Sequence, residues 1–413
     1  MLTTVLLALP LLSAGPLRAQ DPISAWSEDA LFLVEAFERL HPAPWFGCPR
    51  AEFETAMDAF LTGLEGWDER RAQTEFMRLF ATLSAQGRDG HSGIWPMRAS
   101  VLPLKLYGFS DGWFVVASER PELVGAQLVS LGGVPIDELC ARLAPLLTRD
   151  NEWNLRGKLA LALATLELLE GVGVESSAAG VRLELVRDGK SEQVELAPSV
   201  RGVFEQWQEP ALPARSSSRW LSRREQAFRL EVLERERALY VQYNEVTSRD
   251  ASGRSLADFT TEVTQLFVER KLERLVIDVR SNGGGDNTTF APLIAALRKP
   301  PFDRHGVLFA LTGRGTYSAA GNFVTALERD TRAILIGEPT GGAPNQYGDA
   351  QTVELPNHQE LLVRVSTRYH EFSRAEDQRL THEPHLAVPF RAGDYFADRD
   401  PVLAAALEYA PPK

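Results

Sequence analysis

Apolar residues recur three and four apart through most of the first eighty positions: Leu31, Val34, Phe37 and Leu40, then Phe53, Met57, Phe60 and Leu61, then Phe76, Leu79, Phe80 and Leu83. That spacing gathers them on one face of a helix, so an N-terminal helical region is predicted over 21–98. The stretch "HPAPWFGCPR" interrupts it, because its three prolines forbid a continuous helix. From 99 to 198 the period shortens. Strand-length runs such as "GWFVVAS" and "AQLVSLGGVPI" appear, and "VRLELVRDGKSEQVEL" alternates on both sides of Asp188-Gly189, a dipeptide that tight hairpins favour. Between them "WNLRGKLALALATLELLEG" has helical composition and reads as an insertion. Residues 199–229, with "EPALPARSSSR" and little periodicity, read as a linker.

From 230 to 413 strand and helix patterns alternate. "ALYVQYNEV", "RLVIDVR", "GVLFALTG" and "RAILIGE" are apolar runs without polar alternation, separated by helical stretches such as "LADFTTEVTQLFVERK" and "AAGNFVTALERD". Strands of that kind are buried on both faces, as in a parallel α/β sheet with crossover helices. In such sheets function gathers beyond the carboxyl ends of the strands. Two loops stand there: "SNGGGDN" after "RLVIDVR", and "GRGTYS" after "VLFALTG", which leads into Ser318.

Charge and composition narrow the partners. A formal net charge of -12 opposes polyanions, which argues against nucleic acid and anionic membrane surfaces and leaves peptides or neutral small molecules. Residues 1–20, "MLTTVLLALPLLSAGPLRAQ", combine a short apolar run with small residues near Ala19 and read as a secretory signal without a Lys or Arg ahead of it. No other apolar run approaches the ~20 residues of a spanning helix, so free export to a periplasmic or external compartment is expected. Cys48 and Cys140 fit either one disulfide or two buried thiols.

Three consecutive glycines at 283–285 let backbone N–H groups converge on one point, which suits an oxyanion hole. A phosphate cradle would use the same physics, but the spacing matches neither nucleotide-binding glycine pattern. A plain tight turn also fits. Ser318, just ahead of "AAGNFVTALERD", reads from spacing alone as an ordinary N-cap, with a nucleophile near a helix N-terminus as the alternative.

The runs "LVIDVRSNGGG", "TYSAAGNF" and "GEPTGGAPNQYGD", in that order and at these distances, resemble the tail-specific (C-terminal processing) serine peptidases, a family that includes the tricorn protease. The resemblance covers most of 230–405 and extends to "GRDGHSGI" and to "LVGAQLVSLGGVPIDEL", which is similar to a PDZ-like domain. It implies a ClpP/crotonase-like catalytic domain at 230–413 with a PDZ-like module at 99–198 carrying the helical insertion. Ser318 would be the nucleophile, with backbone N–H groups of Ala319 and of Gly284 or a neighbour as the oxyanion hole. In the better-known branch a lysine activates the serine. Its place in "GEPTGGA" holds Ala343, and no lysine occurs between Lys299 and Lys413.

The tricorn-like branch uses an upstream histidine, which points to His91. An imidazole of ordinary pKa ≈ 6.5 can take a serine proton near neutrality. The branch has a serine before this histidine, whereas here Gly90 precedes it. An acid from the C-terminal segment would orient the ring and raise its pKa. Asp377 is the expected one, with Glu376, Glu383 and Asp89 as competitors. His382, Glu383 and His385 on a Pro-containing loop make a poor metal pattern, so neither a metal nor an organic cofactor is expected. Substrates would be peptides or proteins, held through their C-termini if the PDZ-like module binds them. A catalytically silent binding protein and a small-substrate esterase are the rival readings, and the oligomeric state is left open.

Overall fold

Tryptophan and phenylalanine at helical spacing build the first layer. The computed structural model describes residues 22–204 and 218–410, so the expected signal and the middle of the expected linker lie outside the described residues. Helices Pro22–Leu40, Arg50–Gly63 and Glu69–Thr82 bury Trp26, Leu33 and Phe37, then Phe53 and Phe60, then Phe76, Met77 and Phe80. Asp68 caps the third helix by accepting from the Arg71 N–H at 2.8 Å. "HPAPWFGCPR" is non-helical up to Pro49, as its prolines require.

An antiparallel sheet follows, with strand order 104–109, 112–118, 127–131, 181–187 and 190–196. In its hairpin Asp188 (φ 49°) and Gly189 (φ 75°) both adopt positive φ, the turn that matches strand twist. Helix Ile136–Leu143 packs on this sheet, and the insertion forms helices Glu152–Ala162 and Leu166–Gly171. One continuous apolar core runs from Trp26 through Leu128, Leu159 and Leu183 to Val203, so the N-terminal helices and this sheet stabilise each other.

The second half is built on strands 228–233, 238–243, 274–278, 308–312, 334–337 and 386–387, in that spatial order. The first pair is antiparallel and the others parallel. Alternate residues serve two cores. Leu239, Leu275, Ile277 and Ala310 meet helices Leu256–Glu269, Ala291–Leu297 and Ala319–Asp330. Tyr240, Val276, Phe309 and Ile336 meet helix Pro401–Glu408. Burial on both faces is why these strands lack polar alternation.

The linker reading needs correction at both ends. Ser199–Gly202 pairs with Arg98–Val101, and Phe228–Leu233 is an edge strand of the large sheet. Ser199–Gly202 takes its partner from about a hundred residues upstream, whereas Phe228–Leu233 makes a local hairpin with Ala238–Tyr243. Strand Gly93–Pro96, near the start of the chain, pairs with Leu361–Val365 near its end. That pairing brings the "RDGH" loop to the second half. Cys48 and Cys140 are both free thiols. Among the described residues no helix is long and apolar enough to cross a membrane.

Candidate active site

Strand Leu308–Thr312 ends in a tight loop that delivers Ser318 to the start of helix Ala319–Asp330. Ser318 has φ 54° and ψ -128°, a conformation that costs a residue with a Cβ about 1–3 kcal/mol. Surrounding bonds hold it there. The Tyr317 N–H donates to the Asn282 carbonyl at 3.0 Å, and Gln346 Nε2 donates to the Ser318 carbonyl at 3.0 Å. Ser318 occupies the N-cap position yet makes no side-chain cap bond. Its Oγ lies 2.9 Å from His91 Nε2.

His91 reaches the serine on a loop fastened from three sides. Asp89 is fully buried and accepts from the Ser92 N–H (3.1 Å) and Ser366 Oγ (2.6 Å), with His41 Nε2 3.4 Å away. Burial pushes its carboxyl up, but those partners hold it below its ordinary value. Asp150 accepts from the Gly90 N–H and the Ala343 N–H, and Lys158 Nζ donates to the Gly90 and Thr148 carbonyls, both at 2.7 Å. Burial drives Asp150 up and Lys158 down, each toward neutrality. Asn151 Nδ2 donates to the Thr340, Gly341 and Leu380 carbonyls, joining the start of helix Glu152–Ala162 to the loop after strand Ile334–Gly337 and to the C-terminal segment. Sequence reasoning missed Asp150, Asn151 and Lys158. They lie some sixty residues from His91, just ahead of or within a segment read as a helical insertion, and nothing local marks them.

The ring's other nitrogen meets a tyrosine. Tyr317 Oη lies 2.9 Å from His91 Nδ1, and the two rings stack with centroids 4.6 Å apart. Asp377, expected at this place, is not brought there. Its carboxylate accepts from Ser373 Oγ (2.6 Å) and pairs with Arg379 at 2.8 Å, and those bonds hold its carboxyl well below the usual range. The guanidinium two residues on is a closer and stronger partner than a distant imidazole. Asp89, the main competitor, is directed to Ser92, Ser366 and His41. The expected upward shift of the base is therefore reversed: burial pushes His91 down to about 4, with the Asp89 charge opposing only part of it.

The glycine loop touches the nucleophile. Gly284 has φ 114°, and a Cβ there would lie 2.6 Å from Ser318 Cβ and 3.0 Å from the Ala319 nitrogen. Glycine is required on both counts. The Gly284 N–H, expected as an oxyanion donor, instead donates to Asn282 Oδ1 at 2.9 Å. What Gly284 contributes is open space in front of Ser318 and the Ala319 N–H. The Ala343 side chain is fully buried where a lysine was weighed. His382 is buried between Thr325 and Thr340, His385 Nδ1 accepts from the Leu335 N–H, and no metal-holding group occurs among the described residues. Beside the glycine loop a cavity of about 350 Å³ opens between the two halves, lined by Tyr107, Gly157, Gly283, Arg314 and Phe390.

A strained serine within reach of an imidazole, with a glycine loop facing it, is the constellation of a serine-type hydrolase. Residues 293–385 match the model of peptidase family S41, which supports a serine-type peptidase. Its fold is similar to that of mature CPAF, at 14% identity over 94% of this chain and 99% of that one, with a TM-score of 0.63. A structure of mature CPAF complexed with lactacystin matches at 13% identity over 93% and 99%, with a TM-score of 0.61. Tricorn protease matches at 14% identity over 93% of this chain and 36% of that one; its TM-score of 0.39 leaves the branch to be argued from the site. No curated protein matches the sequence.

Proposed function

We propose that this chain is an exported peptidase of the tricorn-like branch that cleaves peptide bonds with Ser318 as nucleophile and His91 as base. The observation that carries the reading is the 2.9 Å separation of Ser318 Oγ and His91 Nε2 at a residue that gives up its capping bond. His91 Nε2 takes the Oγ proton as Oγ attacks the scissile carbonyl. The resulting oxyanion sits in the space left by Gly284 and accepts from the Ala319 N–H at the positive end of its helix. The imidazolium then passes its proton to the leaving amine, and water, deprotonated by the same ring, hydrolyses the acyl-enzyme.

The finer architecture belongs to the same proposal. Residues 99–198 act as a PDZ-like module, 21–98 as a helical region and 230–413 as a ClpP/crotonase-like catalytic domain. The cavity between the halves would admit an extended peptide, possession of a free C-terminus being one way to be held there. Export rests on the pattern of residues 1–20. The test is labelling by a fluorophosphonate together with cleavage of a peptide series and simple esters. Wild type should be labelled and cleave peptides, while Ser318→Ala should do neither and His91→Ala should label at a small fraction of the rate. Equal labelling of wild type and Ser318→Ala overturns the assignment, and ester turnover without peptide cleavage makes the protein an esterase.

A further inference from the structure

We infer that Tyr317 is the positioning residue of the base, its hydroxyl oxygen accepting the His91 Nδ1 hydrogen so that Nε2 presents its lone pair to Ser318. This rests on the proposed roles of Ser318 and His91. A neutral imidazole has two tautomers, and only the one protonated at Nδ1 can take a proton at Nε2. In the other, Nε2 already carries hydrogen and the serine keeps its own. Whatever accepts at Nδ1 therefore decides whether the ring can work, and the group at hydrogen-bond distance from it is the Tyr317 hydroxyl, 2.9 Å away.

Three observations support the assignment. Tyr317 immediately precedes the nucleophile, so one loop sets both ends of the imidazole: Ser318 at Nε2 and Tyr317 at Nδ1. Its ring lies against the imidazole at 22°, which fixes the plane as well as the hydrogen bond. The hydroxyl also lies against Gly90, where a Cβ would come within 2.7 Å of it, so the absence of a side chain before His91 makes its room. The phenol stays protonated, because burial and then the charges of Asp150 and Asp89 push its pKa well above the ordinary value. A neutral oxygen thus stands where a carboxylate was expected. It can accept the Nδ1 hydrogen as a carboxylate would, and stabilises the imidazolium less.

The first measurement uses the unaltered protein. With ¹⁵N-labelled histidine, and His91 assigned by its absence in His91→Gln, the His91 signals at pH 7 should be those of an imidazole protonated at Nδ1. A ring protonated at Nε2 overturns the inference. The second uses Tyr317→Phe, which keeps the stacking ring and removes the oxygen. Loss of alignment at the reacting atoms should lower kcat about 10²-fold with KM within about twofold, and the His91 tautomers should become mixed. If His91→Ala is inactive while folded Tyr317→Phe keeps wild-type kcat and an unchanged tautomer, the role of Tyr317 is refuted and that of His91 stands. Activity surviving in His91→Ala refutes the underlying reading instead.

Discussion

The acid limb of the pH–rate profile separates a buried, tyrosine-held imidazole from an exposed or carboxylate-paired one. Burial lowers His91 to about 4, against an ordinary value near 6.5. At pH 6 such a ring is about 99% neutral, whereas an ordinary one is about 24% neutral. The ratio of kcat/KM at pH 6 to that at pH 8 should then be about 1 and not about 0.25. The assay is initial-rate hydrolysis of a small activated ester from pH 3.5 to 8.5 at substrate far below KM, each sample returned to pH 8 to confirm reversible activity. That control matters because the same shift is linked to folding. A folded pKa below the unfolded one means that the unfolded chain binds more protons as pH falls. His91 thus contributes stability that is present above pH 6.5 and is lost as pH falls toward 4, by up to about 3 kcal/mol. His382, lowered to about 3 by burial and then by Arg379, acts in the same direction. A reversible rise in kcat/KM centred near 6.5 would refute the buried-base account, and one centred well above 6.5 would restore a carboxylate beside the ring.

Asp377→Asn should leave kcat within about threefold, since its carboxylate serves Arg379 and Ser373, and should cost at most about 1 kcal/mol by thermal melting because the pair is part-exposed. A loss of 10²-fold or more would return Asp377 to the base. Gly284→Ala should abolish ester and peptide hydrolysis together, because its methyl group would sit 2.6 Å from Ser318 Cβ at a φ of 114° that alanine resists. Retained activity would mean that the oxyanion is received elsewhere. Lys158→Met should lower Tm by the equivalent of about 1–3 kcal/mol, leaving the Gly90 and Thr148 carbonyls without their donor, and should slow ester and peptide hydrolysis equally. Slowing of peptide cleavage alone would make residues 152–162 a substrate-binding element and not a support of the His91 loop.

Much of the second half was legible because its signals are local. Strands buried on both faces show as unbroken apolar runs, and the carboxyl ends of two of them carry the glycine loop and Ser318. The hairpin at Asp188-Gly189 was likewise readable, since positive φ at two successive positions restricts residue type. The missing lysine at Ala343 directed attention to His91 before any distance was known. Expectations failed where a residue's role depends on what another segment brings to it. Asp377 and Asp89 are ordinary acidic loop residues in the sequence. One is taken by Arg379 and the other by Ser92, Ser366 and His41.

What the sequence by itself determined is the set of elements and the chemical types at the ends of two strands, because backbone period, turn geometry and the capacity of a serine to be a nucleophile are properties of short stretches. The tertiary structure alone decided which groups meet. Pairing of Gly93–Pro96 with Leu361–Val365 carries His91 across 227 positions to Ser318, and Asp150, just ahead of the apparent insertion, and Lys158, within it, fasten its loop. Tyr317 looks like any loop tyrosine until its hydroxyl is found beside His91 Nδ1. Hydrogen bonds and burial act through space over a few ångströms, and chain separation does not record those distances.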